Sequence, residues 1–245
     1  MSLHHRIDGD ADRVVVLSGS IGSTTDMWEA QLAALTSHHR VVRIDHPGHG
    51  GSPLLDRRTI GELADEVVAV LDELDIEHFS FCGLSLGGTV AMRLALDVPH
   101  RLERLVLVAT GARIATPASW EERATTVRSR GLGAIADGAM ERWFTPSFRD
   151  VPRYRAMLLS NDPEGYARCC EALRDWDVRR KLGAVQVPTL AVAGREDPST
   201  PPSELAAIVG EIGGAALVTI DRARHLVNVE QPDAFNEALL SHLRA

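Results

Sequence analysis

His78-Phe79-Ser80-Phe81-Cys82-Gly83-Leu84-Ser85-Leu86-Gly87-Gly88-Thr89-Val90-Ala91-Met92 runs from a strand-like segment through a glycine-flanked serine into a helix-like one. Its centre, Gly83-Leu84-Ser85-Leu86-Gly87, has the spacing G-x-S-x-G. Two glycines about a serine arise by chance in many chains, so it is the strand before and the helix after that give the pattern meaning. The reason is steric: a serine held in a tight, strained turn needs neighbours without Cβ where the strand and helix backbones approach. The same turn puts the backbone N–H of Leu86 at a helix N-terminus, where it can stabilise negative charge. A phosphate-binding loop is the rival reading. The segment has neither the lysine of a P-loop nor G-x-G-x-x-G spacing. Ser85 is therefore the candidate nucleophile.

Working outward, the alternation repeats on both sides. Residues 14–17 (VVVL), 41–44, 105–108, 189–193 and 216–220 are short apolar, β-branched-rich runs of strand length. Helix-period stretches alternate with these runs and with the 78–82 segment: residues 27–35, 60–74, 86–98, 203–211 and 232–243, the last opening on Pro232, a favoured first-turn residue. Continuous apolar runs, each followed by a helix, indicate parallel strands covered on both faces. Asp8-Gly9 reads as a turn closing a hairpin between residues 3–7 and the strand at 14–17. Residues 112–182 break the rhythm, with helix-like stretches and no convincing strand. The expected architecture is α/β: a doubly wound, mostly parallel sheet formed by residues 1–111 and 183–245, with residues 112–182 inserted as a helical lid.

Composition narrows the function classes. A chain of 245 residues buries a substantial core without disulfide or metal staples. Against 34 acidic residues stand 26 Lys and Arg, a net charge of −8 with no basic block. That balance argues against coating nucleic acid or an anionic membrane. No apolar run approaches the roughly 20 residues that span a bilayer. Asp8 and Asp10 interrupt the N-terminal segment before a signal-peptide core could form. Cys82, Cys169 and Cys170, an odd number with two adjacent, do not form a disulfide framework and suit a reducing, cytoplasmic setting. Their spacing with histidine shows no zinc pattern.

A serine needs a general base, and the base an orienting acid. On such a sheet the expected chain order is Ser, then Asp or Glu, then His. Asp197 follows the strand ending at Ala193, and His225 follows the strand ending at Ile220. Both emerge at the strand ends where open α/β sheets keep their sites. Glu196 rivals Asp197. For the base, His46, His49, His78, His100 and His242 are alternatives, and His225 is preferred by position. The loop after the first long strand, Ser18-Gly19-Ser20-Ile21, is the expected source of a second oxyanion N–H, from Ser20 or its neighbour Ile21.

These residues resemble the α/β-hydrolases, and within them the 3-oxoadipate enol-lactonases, over essentially the whole chain. Beyond the elbow, the similarity includes Glu141-Arg142-Trp143-Phe144-Thr145-Pro146, Glu164-Gly165-Tyr166-Ala167-Arg168-Cys169-Cys170, Gly194-Arg195-Glu196-Asp197-Pro198 and His225-Leu226-Val227-Asn228. One departure is His46-Pro47-Gly48-His49-Gly50, where that lactonase group usually has Arg-Gly-His-Gly. The resemblance implies the α/β-hydrolase fold and hydrolysis of a small carboxylate-bearing enol-lactone, with no metal or organic cofactor. It implies Ser85, His225 and Asp197 as a triad and the N–H groups of Leu86 and Ser20 as an oxyanion hole. Because the chain is acidic overall, a local cation or hydrogen-bond donor must receive the substrate carboxylate. Arg142 and Trp143 are the candidates in the insertion. The alternatives are another ester or carbon–carbon bond hydrolase sharing this triad, and a hydrolase fold serving as a receptor or scaffold. Oligomeric state is not legible in the sequence.

Overall fold

The structure is a computed structural model that describes residues 2–244. Seven strands form one sheet: β1 (His5–Asp8), β2 (Val14–Ser18), β3 (Arg40–Ile44), β4 (Phe79–Leu84), β5 (Leu102–Val108), β6 (Thr189–Gly194) and β7 (Ala216–Ile220). They lie in the order β1-β3-β2-β4-β5-β6-β7, with every pairing parallel except β1 with β3. The helices in chain order are α1 (Glu29–Leu35), α2 (Ile60–Glu73), α3 (Leu86–Asp97), α4 (Pro117–Arg130), α5 (Gly133–Trp143), α6 (Val151–Leu159), α7 (Pro163–Arg174), α8 (Pro202–Glu211), α9 (Val227–Glu230) and α10 (Pro232–Arg244).

The central strands β2, β4 and β6 are buried at every position, as continuous apolar runs between helical layers should be. Helix α2 shows how sequence becomes packing. Ile60, Leu63, Ala64, Val67, Val70 and Leu71 form its buried stripe, and Thr59 and Glu62 close a capping box at its start. A cap of this kind stabilises by about 0.5–2 kcal/mol. Pro232 is the first residue of α10, whose Phe235, Leu239 and Leu243 face the core.

Two expectations change. The first helix starts later than the periodicity suggests, because Thr25–Trp28 is a 3-10 turn that precedes α1. The hairpin across Asp8-Gly9 does not form. β1 instead pairs antiparallel with β3, Arg6 opposite Arg43 and Ile7 opposite Val42. The reason is that β2 already has β3 on one edge and β4 on the other. A strand carrying His5, Arg6 and Asp8 suits the outer edge, where polar side chains reach water.

Between β5 and β6 the chain forms α4, α5, α6 and α7 and, among the described residues, no strand. α4 packs on α7, and their outer faces are tied by Arg128, which pairs with Glu164 at 2.8 Å and Glu171 at 2.6 Å. Arg58, just ahead of α2, reaches the same Glu171 at 2.9 Å and so joins this helical segment to the sheet domain. No described helix is long and apolar enough to cross a membrane.

The sheet order places a topological switch between β2 and β4. The chain leaves β2 toward β3 on one side, then returns to β4 on the other. Crevices at such points, beyond the carboxyl ends of the strands, are where open α/β sheets bind ligands.

Candidate active site

Ser85 occupies the single residue between β4 and α3, with φ 58° and ψ −109°. A left-handed φ at a non-glycine residue costs on the order of 1–3 kcal/mol and persists only where the surroundings hold it. They do so here: the Ser85 N–H donates to the Val108 carbonyl at 2.9 Å, and the Thr110 hydroxyl donates to the Ser85 carbonyl at 2.8 Å. The flanking glycines answer the steric demand read from the sequence. A Cβ on Gly83 would strike the Gly87 carbonyl, and one on Gly87 would strike the Ser18 carbonyl. Leu86 opens α3, so its N–H is among those with no partner inside the helix.

The loop after β2 is docked against this helix end. The Gly19 carbonyl accepts from the Gly87 N–H at 3.0 Å and lies 2.9 Å from His46 Nε2. Ser20 and Ile21 both line the cavity that contains Ser85, so the loop presents two candidates for the second oxyanion donor.

Asp197 and His225 come together from the ends of β6 and β7. His225 Nδ1 lies 2.8 Å from Asp197 Oδ2, with both side chains almost wholly buried. The carboxylate also accepts from the Thr200 hydroxyl at 2.7 Å, the Ser199 N–H at 2.8 Å and the Thr200 N–H at 3.3 Å. Burial pushes the Asp197 pKa up, but the His225 charge and hydrogen bonds from His225, Thr200 and Ser199 outweigh it. The carboxyl therefore ionises below its ordinary value. An ionised acceptor at Nδ1 makes that nitrogen the protonated one and leaves Nε2 as a base. The His225 loop is secured by Glu230, which accepts from the Arg224 N–H at 2.6 Å and the Thr145 N–H at 2.8 Å.

The rivals sit elsewhere. Glu196 is exposed, one residue from the buried Asp197. His49 is buried against Tyr166, with Nδ1 3.0 Å from the Pro47 carbonyl; burial and the neighbouring His46 hold its pKa down to about 4. His46 braces the Gly19 carbonyl, His78 and His100 are exposed, and His242, on α10, contacts the Pro188 carbonyl. Cys169 and Cys170 are buried in α7, and burial pushes the Cys170 thiol up to about 12. Among the described residues no group of His, Cys, Asp and Glu converges as metal ligands would.

Ser85 and His225 share a cavity of about 260 Å³ with Arg142 and Trp143, which close it from α5. Trp120 and Arg123 on α4 also line it and carry no signal of their own in the sequence; Tyr166 on α7, also in the lining, lies in the 164–170 segment that carries the resemblance. Trp120 and Arg123 are three apart, a spacing that puts both on one face of a helix. That face could be seen in the sequence; its direction could not.

Comparison with known proteins agrees with this architecture. The profile of the Alpha/beta hydrolase family matches residues 14–238. The 3-oxoadipate enol-lactonase 2 of Acinetobacter baylyi is 37% identical over 98% of this chain and 92% of its own. The crystal structure of the enol-lactonase from Burkholderia xenovorans LB400 superposes with a TM-score of 0.96 at 37% identity, covering 99% of this chain and 96% of that one. A protein named for carbamate hydrolysis, RutD of Agrobacterium fabrum, is 29% identical over 98% of this chain and 96% of its own. With a strained serine between β4 and α3 and a family match over nearly its full length, the chain belongs to the alpha/beta hydrolase family.

Proposed function

We propose that this protein is a serine hydrolase that opens the ester bond of 3-oxoadipate enol-lactone to give 3-oxoadipate. At the coarser level it is an ester-type hydrolase, like its named enol-lactonase relatives. The observation that carries the finer reading is one cavity holding Ser85, His225 and the half-buried cation Arg142, which has no ion-pair partner among the described residues.

In this reading His225 Nε2 takes the Ser85 proton as Oγ attacks the lactone carbonyl, and Asp197 holds the imidazole tautomer and stabilises its charged form. The N–H groups of Leu86 and of Ser20 or Ile21 receive the oxyanion; losing one such donor costs about 10²–10³ in rate. Water activated by His225 then releases the acyl group. Arg142 holds the substrate carboxylate and Trp143 walls the pocket, with residues 112–182 forming the lid over a core of residues 1–111 and 183–245. A cytoplasmic place in aromatic-compound catabolism follows from that substrate and from three buried, free cysteines.

The test is loss of the enol-lactone followed by absorbance, beside Ser85→Ala. Rapid turnover that depends on Ser85 supports the proposal. Hydrolysis of a simple aryl ester without lactone turnover removes the substrate and leaves the triad. Inertness of the folded protein to a fluorophosphonate points to a ligand-binding scaffold instead.

A further inference from the structure

The cavity beside Ser85 is lined by two arginines, Arg123 from α4 and Arg142 from α5, and among the described residues no carboxylate lines it with them. In the same helical segment Arg128 is matched by Glu164 and Glu171, Arg155 by Asp137, Arg168 by Glu164, and Arg174 by Glu121 and Asp175. Arg130, Arg149 and Arg180 have no ion pair among the described residues but are exposed, and Arg113, also without one, lies outside the cavity. Arg123 and Arg142 have no ion-pair partner among the described residues, although both are partly buried. Two like charges sharing a half-buried cavity repel, and each loses hydration. Burial and the neighbouring Arg123 accordingly draw the Arg142 pKa down. Arg123 is nevertheless held in place. Its guanidinium lies 4.7 Å over the Trp120 ring, and it sits close enough to Tyr166 to oppose the upward pull of burial on that hydroxyl.

An enol-lactone with a single carboxylate needs one of these cations, so the second has no charge to meet in the ground state. The reaction supplies one. Oγ of Ser85 bonds to the lactone carbonyl carbon and its proton passes to His225 Nε2. When the tetrahedral adduct collapses, the bond from that carbon to the ring oxygen breaks and its electron pair leaves on the ring oxygen as an enolate. The proton on His225 then goes to the enolate carbon, giving the ketone of the acyl-enzyme. The ring oxygen and the substrate carboxylate are separated by two carbons, within the span of two neighbouring guanidiniums.

We propose that Arg123 is a further catalytic residue, taking up the charge that appears on the leaving ring oxygen while Arg142 holds the substrate carboxylate; this rests on the enol-lactone reading above. An interaction made only as charge develops acts on kcat and not on KM.

The experiment compares the full chain with Arg123→Gln, Arg123→Lys and Arg142→Gln, using stopped-flow acylation and steady-state turnover of the enol-lactone and of p-nitrophenyl acetate. Arg123→Gln is expected to lower acylation and kcat on the lactone by on the order of 10², with KM little changed. The ratio of lactone to nitrophenyl acetate turnover falls tenfold or more, because nitrophenolate leaves without help from a cation. Arg123→Lys keeps the charge and recovers most of the loss, and Arg142→Gln acts chiefly on KM. Equal losses on both substrates, no recovery with lysine, or a change in KM alone overturns the role of Arg123. Wild-type protein that hydrolyses nitrophenyl acetate but not the lactone overturns the substrate reading and this proposal together. Lactone turnover that Arg123→Gln leaves unchanged overturns this proposal alone.

Discussion

Asp197→Asn tests the proposed triad most sharply, because the surrounding hydrogen bonds dictate how the introduced amide must lie. Oδ1 of Asp197 accepts from the backbone N–H groups of Ser199 at 2.8 Å and Thr200 at 3.3 Å; Oδ2 faces His225 Nδ1 at 2.8 Å. An amide has one oxygen and one NH₂. With its oxygen toward His225, the NH₂ would oppose the two N–H donors. Leaving the buried Thr200 N–H unsatisfied costs roughly 1–3 kcal/mol, and the partly buried Ser199 N–H adds to that. The oxygen therefore stays with the backbone and the NH₂ points at Nδ1. His225 must then present a lone pair at Nδ1 and carry its proton on Nε2, the nitrogen that has to accept the Ser85 proton. In serine proteases, inverting the tautomer with the geometry intact costs about 10⁴ in kcat, and a loss of the same order is expected here. Steady-state hydrolysis of p-nitrophenyl acetate reads the loss, a thermal melt checks the fold, and nitrogen NMR of His225 reports which nitrogen bears the proton. A folded variant that loses less than tenfold, or that keeps the proton on Nδ1, refutes the reasoning.

Ser85→Ala should lower turnover by several orders of magnitude while leaving a residual rate above water, measured with saturating substrate. Gly83→Ala should lower the melting temperature markedly or abolish soluble expression, since its Cβ meets the Gly87 carbonyl. Gly133→Ala, at the start of α5 with open space around it, is expected to stabilise by about 0.5–1 kcal/mol in denaturant titration. The pair of glycine variants fails as an argument if both shift stability the same way. Glu164, hydrogen-bonded by Arg128, ionises at about 2 when folded against 4.5 ordinarily. Its depressed value means that its stabilising contribution is present above pH 4.5 and fades as pH falls toward 2. Glu164→Gln should flatten the acid limb of the melting curve across that window, and salt should weaken the difference because the pair is partly exposed.

Some of this protein was legible residue by residue. Val14–Ser18 is too apolar to lie on a surface, and Gly83 and Gly87 announce a backbone crossing that the structure contains. The periodicity of α2, its Thr59 cap and the Pro232 start of α10 are local signals that survive folding because packing agrees with them. Other features depend on neighbours distant in sequence. The pairing of β1 departs from the hairpin that Asp8-Gly9 suggests because both edges of β2 are claimed by strands that arrive later in the chain. Asp197 and Glu196 are adjacent and chemically alike, so position alone leaves them rivals; the fold buries one beside His225 and exposes the other. His46 and His49 look equally available in a glycine-rich loop, yet the first braces a carbonyl and the second is held neutral by burial.

By itself the sequence determined the α/β alternation, the strained serine turn and the chain order of the candidate acid and base, because each is written in local sterics or in strand and helix periods. Only the tertiary structure decided which carboxylate meets His225, which edge β1 takes and which arginines face the cavity. Those outcomes depend on burial and on approach between segments tens to more than a hundred residues apart. No local pattern records whether Arg123 faces solvent or the cavity that contains Ser85; the packing of α4 on α7 does.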